Sequence, residues 1–275
     1  MTSEAAQEPV HQKQPGPGVT VLRLDRPHRR NALDTQTLEL LRAGLADASR
    51  RRDAAVVITG GGDFFSSGGD VASMPGPDGG VFAPAERLTL IHELVTTMVR
   101  ADQVIIAAVE RYAIGAAWGI VLACDLVVAG ENAYFKAPFA ARGLTADAGT
   151  AYHLPRRLGY QRAAAHLFLG EPLTAQDARA AGLVTETVAP GHATARAVEL
   201  ATTLAAGPTQ SNAVTKSLLA QDRADLAQFL AAERTAMALA GHGTDAQEGR
   251  NAFLERRKPR FSPASEPQHR QEDLS

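Results

Sequence analysis

The chain has 275 residues, and 45% of them are hydrophobic, so it is long enough to bury a substantial core. Its formal net charge of −2 argues against a broad nucleic-acid surface. The single cysteine, Cys124, excludes an internal disulfide framework and a multi-cysteine metal site. The polar start has no signal-peptide pattern, and no run approaches the roughly 18 apolar residues of a membrane span. These features predict a soluble cytoplasmic protein with neither a nucleic-acid nor a membrane partner.

Strand and helix patterns alternate along the first half of the chain. The polar, proline-bearing start predicts a disordered tail over residues 1–17. Four apolar segments predict buried strands: VTVLRL (19–24), AAVVIT (54–59), VIIAAV (104–109) and DLVVAG (125–130). Helical periodicity follows Asp34, a candidate N-cap, and recurs over residues 86–100. Strands that feed helices at this spacing favour βαβ units and a mainly parallel sheet.

The pattern becomes mostly helical after Gly149. We therefore predict an α/β core over residues 18–205 and a helical region over residues 206–261. Residues 262–275 are polar and predict a second disordered tail. A helical appendage rich in alanine and leucine usually packs against another surface, which favours an oligomer.

Two glycine-containing turns follow strands: FFSSGGDV (64–71) and YAIGAAWG (112–119). Neither matches a Walker A loop or the G-x-G-x-x-G pattern of dinucleotide-binding folds. The glycines can simply satisfy turn geometry. Alternatively, small residues let backbone N–H groups face a ligand, and two such donors from separate turns can hold one oxyanion.

Six segments in order resemble the crotonase (enoyl-CoA hydratase/isomerase) superfamily over about residues 19–261. They are LDRPHRRNALD, ITGGGDFFSSGGDV, IIAAVERYAIGAAWGIVLACDLVVAG, APFAARGLTADAGT, LGEPLTAQDARAAGLV and EGRNAFLERRKPRF. The resemblance implies an α/β spiral of ββα repeats with a C-terminal helical region that forms trimers or hexamers. It also implies a substrate that is a thioester of coenzyme A or a related pantetheine. The backbone N–H groups of Gly69 and Ala116 would form the oxyanion hole.

The sequence departs from the hydratase pattern at two positions. Typical hydratases carry two glutamates, but Gly119 and Phe139 stand at those positions here. Adding water to a C=C bond by that mechanism uses both carboxylates, so an ordinary hydratase is not expected.

Asp147 is the carboxylate that remains where the family does its chemistry. Taken locally, it predicts an N-cap for the helix that contains GTAYHLPRRLG. A similar run places a catalytic aspartate at this position in dienoyl-CoA isomerases, which favours an isomerase with Asp147 as the proton carrier. The 4-chlorobenzoyl-CoA dehalogenases also resemble this pattern and use a nucleophilic aspartate, although His92 would have to replace their histidine. A hydratase-like lyase, a hydrolase and a non-catalytic acyl-CoA binder stay open.

The remaining candidates follow from the same resemblance. Beside Gly119 and Phe139, the substrate pocket is expected to include Trp118 and His92. Candidates for binding coenzyme A are Arg26, Arg30, Ser67 and Lys258. No metal and no cofactor other than the coenzyme A of the substrate are expected.

Overall fold

The computed structural model describes residues 8–70 and 83–220, together with 248, 251–252, 255–257 and 259–260. Within helix 83–100, side chains are described from residue 88 onward. Lys258, the predicted tail over residues 262–275 and most of the predicted helical region beyond Ala220 lie outside the described residues.

The described residues form an alternating α/β chain. Its strands are β1 (Val10–Gly16), β2 (Val19–Leu24), β3 (Ala55–Gly60), β4 (Val104–Val109), β5 (Tyr112–Ile114), β6 (Leu126–Gly130), β7 (Tyr134–Lys136), β8 (Leu173–Thr174) and β9 (Glu186–Val188). Its α-helices are α1 (Thr35–Arg50), α2 (Ala83–Arg100), α3 (Ala116–Ala123), α4 (Thr150–Leu158), α5 (Tyr160–Ala164), α6 (Ala175–Ala180), α7 (Ala193–Ala205) and α8 (Thr209–Leu219). The four predicted strands are confirmed to within one residue at each end, and the helix predicted after Asp34 is confirmed as α1.

Two sheets organise the strands. The larger has six strands in the order β1-β2-β3-β4-β6-β9, parallel throughout except for the antiparallel β1–β2 pair. The smaller has the order β5-β7-β8. The predicted mainly parallel α/β sheet is therefore confirmed, and the connection from β4 through β5 and α3 to β6 places the second glycine turn between two buried strands.

The inner strands of the large sheet, β2, β3, β4 and β6, are buried on both faces, which explains why they are largely apolar runs. Alternate residues of one strand belong to different clusters, because successive side chains point to opposite faces. Val56 and Ile58 pack with α1, α2 and α3, whereas Ala55 and Val57 pack against α7. Three fully buried alanines let α7 approach the sheet closely: Ala193, Ala197 and Ala201.

The start of α1 follows its sequence signal. Asp34 is the N-cap, and its side chain accepts a hydrogen bond of 2.9 Å from the Thr37 backbone N–H. Burial raises the pKa of Asp34, but the Thr37 hydrogen bonds and the positive charge of Arg26 outweigh it and lower the pKa overall. The predicted apolar face is confirmed by the burial of Leu38, Leu41, Leu45 and Ala48.

The predicted disordered tail over residues 1–17 is wrong from Val10 onward. Residues Val10–Gly16 form the edge strand β1, paired with β2 from Val10↔Leu24 to Gly16↔Val19. The segment is polar because only Val10 is buried, and Pro15 is tolerated because an edge strand can leave an N–H position unpaired. Backbone hydrogen bonds to β2 hold this strand in place. Because such bonds do not depend on hydrophobic side chains, the sequence pattern did not reveal the strand.

The end of α7 at Ala205 coincides with the predicted limit of the α/β core. Helix α8 follows and is fastened to the core by Lys216, which is 6% exposed. Its ammonium donates to the carbonyls of Met98 and Gln103 at 2.9 and 2.7 Å. It also pairs with Asp125 at 2.7 Å. The predicted trimerisation by residues 206–261 stays a prediction.

Candidate active site

The first glycine turn reaches the backbone before α3 because residue 68 has no side chain. Gly68 has a φ of +92°, and a Cβ there would overlap the carbonyl oxygen of Ile114 and lie 3.5 Å from the Ala116 nitrogen. Ser66 holds the turn from the other side, since its hydroxyl donates to the Asn31 carbonyl and accepts from the Gly68 N–H. The two glycine turns are therefore in direct contact.

The N–H of Gly69 faces away from its neighbouring strand segment. Leu33 donates its N–H to the Gly68 carbonyl at 2.8 Å, and Asp70 donates its N–H to the Leu33 carbonyl at 3.0 Å. Because adjacent residues of an extended segment alternate direction, the Gly69 N–H points to the opposite side, where α3 begins. Within residues 8–70 and 83–220, the structure shows no acceptor for this N–H.

The second turn presents the start of α3. Gly115 has a φ of +58° and donates its N–H to the Lys136 carbonyl at 2.8 Å, and Ala116 opens the helix. The first N–H groups of a helix have no partner inside it, and the helix dipole makes this end favourable for negative charge. The N–H groups of Gly69 and Ala116 thus form a pair of backbone donors.

Asp147 lies in the loop between the small sheet and α4. The prediction that it caps this helix is wrong, because the N-cap is Gly149. The Asp147 group that closes the turn is its backbone carbonyl, which accepts from the N–H and the hydroxyl of Thr150 at 2.9 and 2.7 Å. Asp147 is half-buried as a residue and lines a cavity.

This cavity brings the predicted catalytic groups together. It has a volume of about 230 Å³, and we call it the Asp147 cavity. Its lining comprises Leu33, Asp34, Thr35, Leu38, Ser67, Gly69, Leu88, Leu90, Ile91, Gly115, Ala116, Phe139, Arg142, Leu144 and Asp147. A carboxylate and two turns with outward backbone donors therefore share a mainly apolar space, which suits a substrate that develops charge on one oxygen.

Two other predicted residues belong to the same cavity. Phe139 is 6% exposed, and its ring lies 3.9 Å from the position of a Cβ on Gly115, so it forms a wall next to the start of α3. Ser67 also lines the cavity, beside Gly69.

Three predicted pocket residues do not line this cavity. Trp118 is 1% exposed and packs on Phe135 with ring centroids 6.0 Å apart, so it fills the core. Gly119 is buried beneath Ala148. His92 is exposed on the other face of α2 and lines a different cavity.

Arg26 makes several contacts within the fold, and its predicted contact with coenzyme A stays a prediction. Its guanidinium donates to the Ala32 carbonyl at 2.6 Å and to Asp70 at 3.3 Å, and it pairs with Asp34 at 3.1 Å. It therefore ties the residue after Gly69 to the N-cap of α1, and a phosphate would have to compete with two carboxylates for it. Arg30 is exposed and does not line the Asp147 cavity, so its role in binding coenzyme A stays a prediction.

A second cavity lies behind the Asp147 loop and is lined by many cations. We call it the basic cavity; it has a volume of about 710 Å³. Its charged and titratable lining residues are His92, Arg100, Cys124, Asp125, Tyr152, His153, Arg156, Arg157 and Lys216. The sequence does not reveal this cluster, because its members come from three separate helices, α2, α4 and α8, and from the segment after α3.

The charges of the basic cavity are largely committed to the fold. Lys216 holds α8 as described above, and Arg157 donates to the Leu122 carbonyl at 2.8 Å. Burial, reinforced by Arg157 and Arg156, lowers the pKa of His153 to about 4. Burial raises the pKa of Asp125, although Lys216 opposes it. Burial also raises the pKa of the Cys124 thiol, which removes it as a nucleophile.

Two residues that matter near the site were not predicted. Arg142 lines the Asp147 cavity from the short 3₁₀ turn after Phe139. Glu110 accepts the Ala193 N–H at 2.8 Å and so satisfies the first backbone donor of α7. Within the described residues no group of three or more His, Cys, Asp or Glu side chains is placed to hold a metal, and no helix has the length and apolarity of a membrane span.

Comparison with known proteins agrees with this architecture. The enoyl-CoA hydratase/isomerase family model matches residues 15–264, and the chain belongs to this family, which is the crotonase superfamily of acyl-CoA-processing enzymes. The chain is similar to 2,3-dehydroadipyl-CoA hydratase of Escherichia coli, with 35% identity over 88% of this chain and 94% of that protein. It is also similar to 4-chlorobenzoyl coenzyme A dehalogenase-2 of an Arthrobacter species, with 30% identity over 73% of this chain and 74% of that protein.

A solved structure shows the same fold. The crystal structure of an enoyl-CoA hydratase from Polaromonas matches with a TM-score of 0.86 and 30% identity, covering 92% of this chain and 99% of that one. The predicted crotonase-like fold is therefore confirmed.

Proposed function

We propose that the protein is an isomerase of unsaturated acyl-CoA thioesters in which Asp147 carries the proton. The observation that supports this proposal is that Asp147, Gly69 and Ala116 line one cavity, while Gly119 and Phe139 supply no second carboxylate.

The chemistry follows from the negative charge that develops on the thioester oxygen. The thioester oxygen accepts the N–H groups of Gly69 and Ala116. The Asp147 carboxylate removes a proton from the carbon next to the thioester carbonyl, and the C–H electron pair moves toward the thioester oxygen to form an enolate. Two fixed donors in a mainly apolar space stabilise this negative charge, and losing one such donor typically costs about 3–4 kcal/mol.

The second half of the reaction returns a proton from Asp147 to the substrate, after the carboxyl proton has had the opportunity to exchange with solvent. In a β,γ-unsaturated thioester the enolate extends over the neighbouring double bond, so the protonated Asp147 delivers the proton to the γ carbon. The product is the conjugated α,β-unsaturated thioester, and atoms and charge balance without another reactant. Adding water would instead require activation of that water by a second carboxylate.

Product analysis tests the proposal. The purified protein would be incubated with β,γ-unsaturated hexenoyl-CoA, α,β-unsaturated hexenoyl-CoA and 4-chlorobenzoyl-CoA, and the products analysed by liquid chromatography and mass spectrometry. We expect the first thioester to be converted to its conjugated isomer. Faster hydration of the second would contradict an isomerase.

A dehalogenase is the second candidate, because a relative of that name is 30% identical and Asp147 is a carboxylate able to attack carbon. A dehalogenase would release chloride from 4-chlorobenzoyl-CoA and form a covalent adduct on Asp147. His92, which would have to act as its histidine, lines the basic cavity and not the Asp147 cavity. Micromolar binding of thioesters without any turnover would identify a binding protein and overturn both enzyme proposals.

Assembly and coenzyme A binding belong to the same proposal. We expect a homotrimer or hexamer, with Arg30 and Lys258 near the phosphates of coenzyme A. Light scattering measures the oligomeric state. The Michaelis constants of Arg30→Gln and Lys258→Gln for a coenzyme A thioester and for its truncated pantetheine analogue measure the phosphate contacts.

A further inference from the structure

The loop that carries Asp147 presses directly on α3. A Cβ at Gly119 would lie 2.5 Å from the Ala148 Cβ, 2.5 Å from its carbonyl oxygen and 3.0 Å from its carbonyl carbon. Real Cβ atoms do not approach backbone that closely, so the absence of a side chain at residue 119 is what makes room for Ala148. Ala148 is 0% exposed and fills this room completely.

The backbone of Ala148 is held in a conformation that alanine disfavours. Its φ is +49°, and the next residue, Gly149, has a φ of +74°. An L-residue with a side chain keeps such a φ only where the surroundings enforce it. The contact with Gly119 enforces this conformation, because it buries the Ala148 methyl group against α3.

This contact fixes Asp147 from both sides. Its carbonyl is bonded to Thr150 at the start of α4, and the following residue is packed on α3. Gly119 lies three residues after Ala116, which carries one of the two backbone donors. One rigid helix therefore sets the position of both the oxyanion donor and the loop of the acid/base.

We propose that Gly119 and Ala148 are positioning residues that hold the Asp147 carboxylate in register with the Ala116 N–H. The proposal rests on the function proposed above for Asp147. It also implies that residue 119 cannot be a glutamate while Ala148 keeps its present place. The two-glutamate arrangement of typical hydratases and this single-aspartate arrangement are therefore alternative packings of the same loop and helix.

Three variants test this role with β,γ-unsaturated hexenoyl-CoA as the probe. Gly119→Ala forces residues 147–149 away from α3, and a displacement of about 1 Å is expected to lower kcat about a hundredfold. The matched control is Gly44→Ala in α1, where a Cβ would also meet an atom at 2.5 Å, the flexible tip of Leu22, far from the cavity. We expect this control to keep kcat within about twofold.

Ala148→Gly keeps the test decisive if Gly119→Ala fails to fold. Glycine adopts a positive φ without strain, so the melting temperature is expected to stay the same or rise. The missing methyl group frees the loop, so kcat is expected to fall about tenfold with KM changed less than about threefold. A purely structural role would lower the melting temperature and leave kcat unchanged.

Asp147→Asn in the same assay separates the two proposals. If it is inactive while Ala148→Gly and folded Gly119→Ala keep wild-type kcat, the positioning role is overturned and the proposed function stands. If Asp147→Asn itself keeps wild-type kcat, the proposed function is overturned. Loss of kcat in all three, with Gly44→Ala active, supports both.

Discussion

The Asp147 cavity and the basic cavity lie on opposite sides of the loop that enters α4. Asp147 faces the first, and Gly149 and His153 face the second. The basic cavity is about three times larger, at about 710 Å³ against 230 Å³, and contains many more charged groups. Those charges are mostly bonded to carbonyls or, for Lys216 and Asp125, to each other. The Asp147 cavity instead combines the Asp147 carboxylate with backbone donors, and its other lining carboxylate, Asp34, is bonded to Thr37 and Arg26. The convergent backbone donors, and neither the volume nor the number of charges, distinguish the proposed reactive site from the basic cavity.

The largest effect on kcat is expected when the Asp147 carboxylate is replaced. Asp147→Asn keeps the shape of the side chain but cannot accept the substrate proton, so kcat for the hexenoyl-CoA probe is expected to fall about a thousandfold. Steady-state kinetics and thermal unfolding measure this. The matched control in the basic cavity is Asp125→Asn, which should destabilise the fold and leave kcat of the folded enzyme unchanged. A loss below fivefold in Asp147→Asn, or an equal loss in both, would erase the distinction between the cavities.

The second-largest effect on kinetics is expected when the contact between the two glycine turns is disrupted. Gly68→Ala places a Cβ on the Ile114 carbonyl at a φ of +92°, so the turn must move and Gly69 with it. We expect kcat/KM to fall about a hundredfold, as for loss of one oxyanion donor. Gly182→Ala is the control, since Gly182 also has a positive φ, +76°, but no atom within 4 Å of its Cβ position. Equal kcat/KM values in the two variants would show that backbone strain alone explains the effect.

In the basic cavity, removing a buried cation should change stability instead of catalysis. Lys216→Met leaves two carbonyls and the Asp125 carboxylate without their donor, which should lower the free energy of unfolding by about 3 kcal/mol. Urea denaturation measures this loss. Adding Asp125→Asn should recover part of it, because the uncompensated carboxylate is then gone. A variant of full stability would show that Lys216 is not a structural group.

The smallest effect should be a change in acid stability at His153. Its pKa is about 4 in the folded protein against 6.5 ordinarily, so the unfolded chain binds more protons between these values. The resulting stability is present above pH 6.5 and is lost as pH falls toward 4. Because the imidazole is partly exposed, solvent screening should limit the loss to about 1 kcal/mol. His153→Gln should flatten the unfolding free energy over this range, and coincident profiles for variant and wild type would rule the effect out.

Local signals in the sequence predicted the framework well. Apolar runs identified the parallel strands, because strands covered on both faces have few polar positions. Asp34 was recognisable as a cap, because capping depends on residues within one turn. The resemblance to a family placed Gly69, Ala116, Phe139 and Asp147 in one pocket, and they line one cavity.

The features that the sequence could not predict are contacts between distant segments. Gly119 was interpreted as part of the pocket, whereas it receives Ala148 from a loop almost thirty residues later. Arg26 was predicted to bind the phosphates of coenzyme A because it is a cation, and in the fold its guanidinium contacts two carboxylates. The face of α2 on which His92 lies depends on how that helix packs. Nothing in the sequence near Ala148 indicates its positive φ, because alanine is not a residue typical of that conformation.

Exchange of the substrate's own hydrogen tests the central claim most directly. Wild-type protein and Asp147→Asn would be mixed with β,γ-unsaturated hexenoyl-CoA in deuterated water, and deuterium in recovered thioester would be followed by mass spectrometry. If Asp147 carries the proton between carbons on the backbone donors of Gly69 and Ala116, wild type incorporates deuterium at the α and γ carbons and Asp147→Asn does not. Equal incorporation by both proteins would contradict the account.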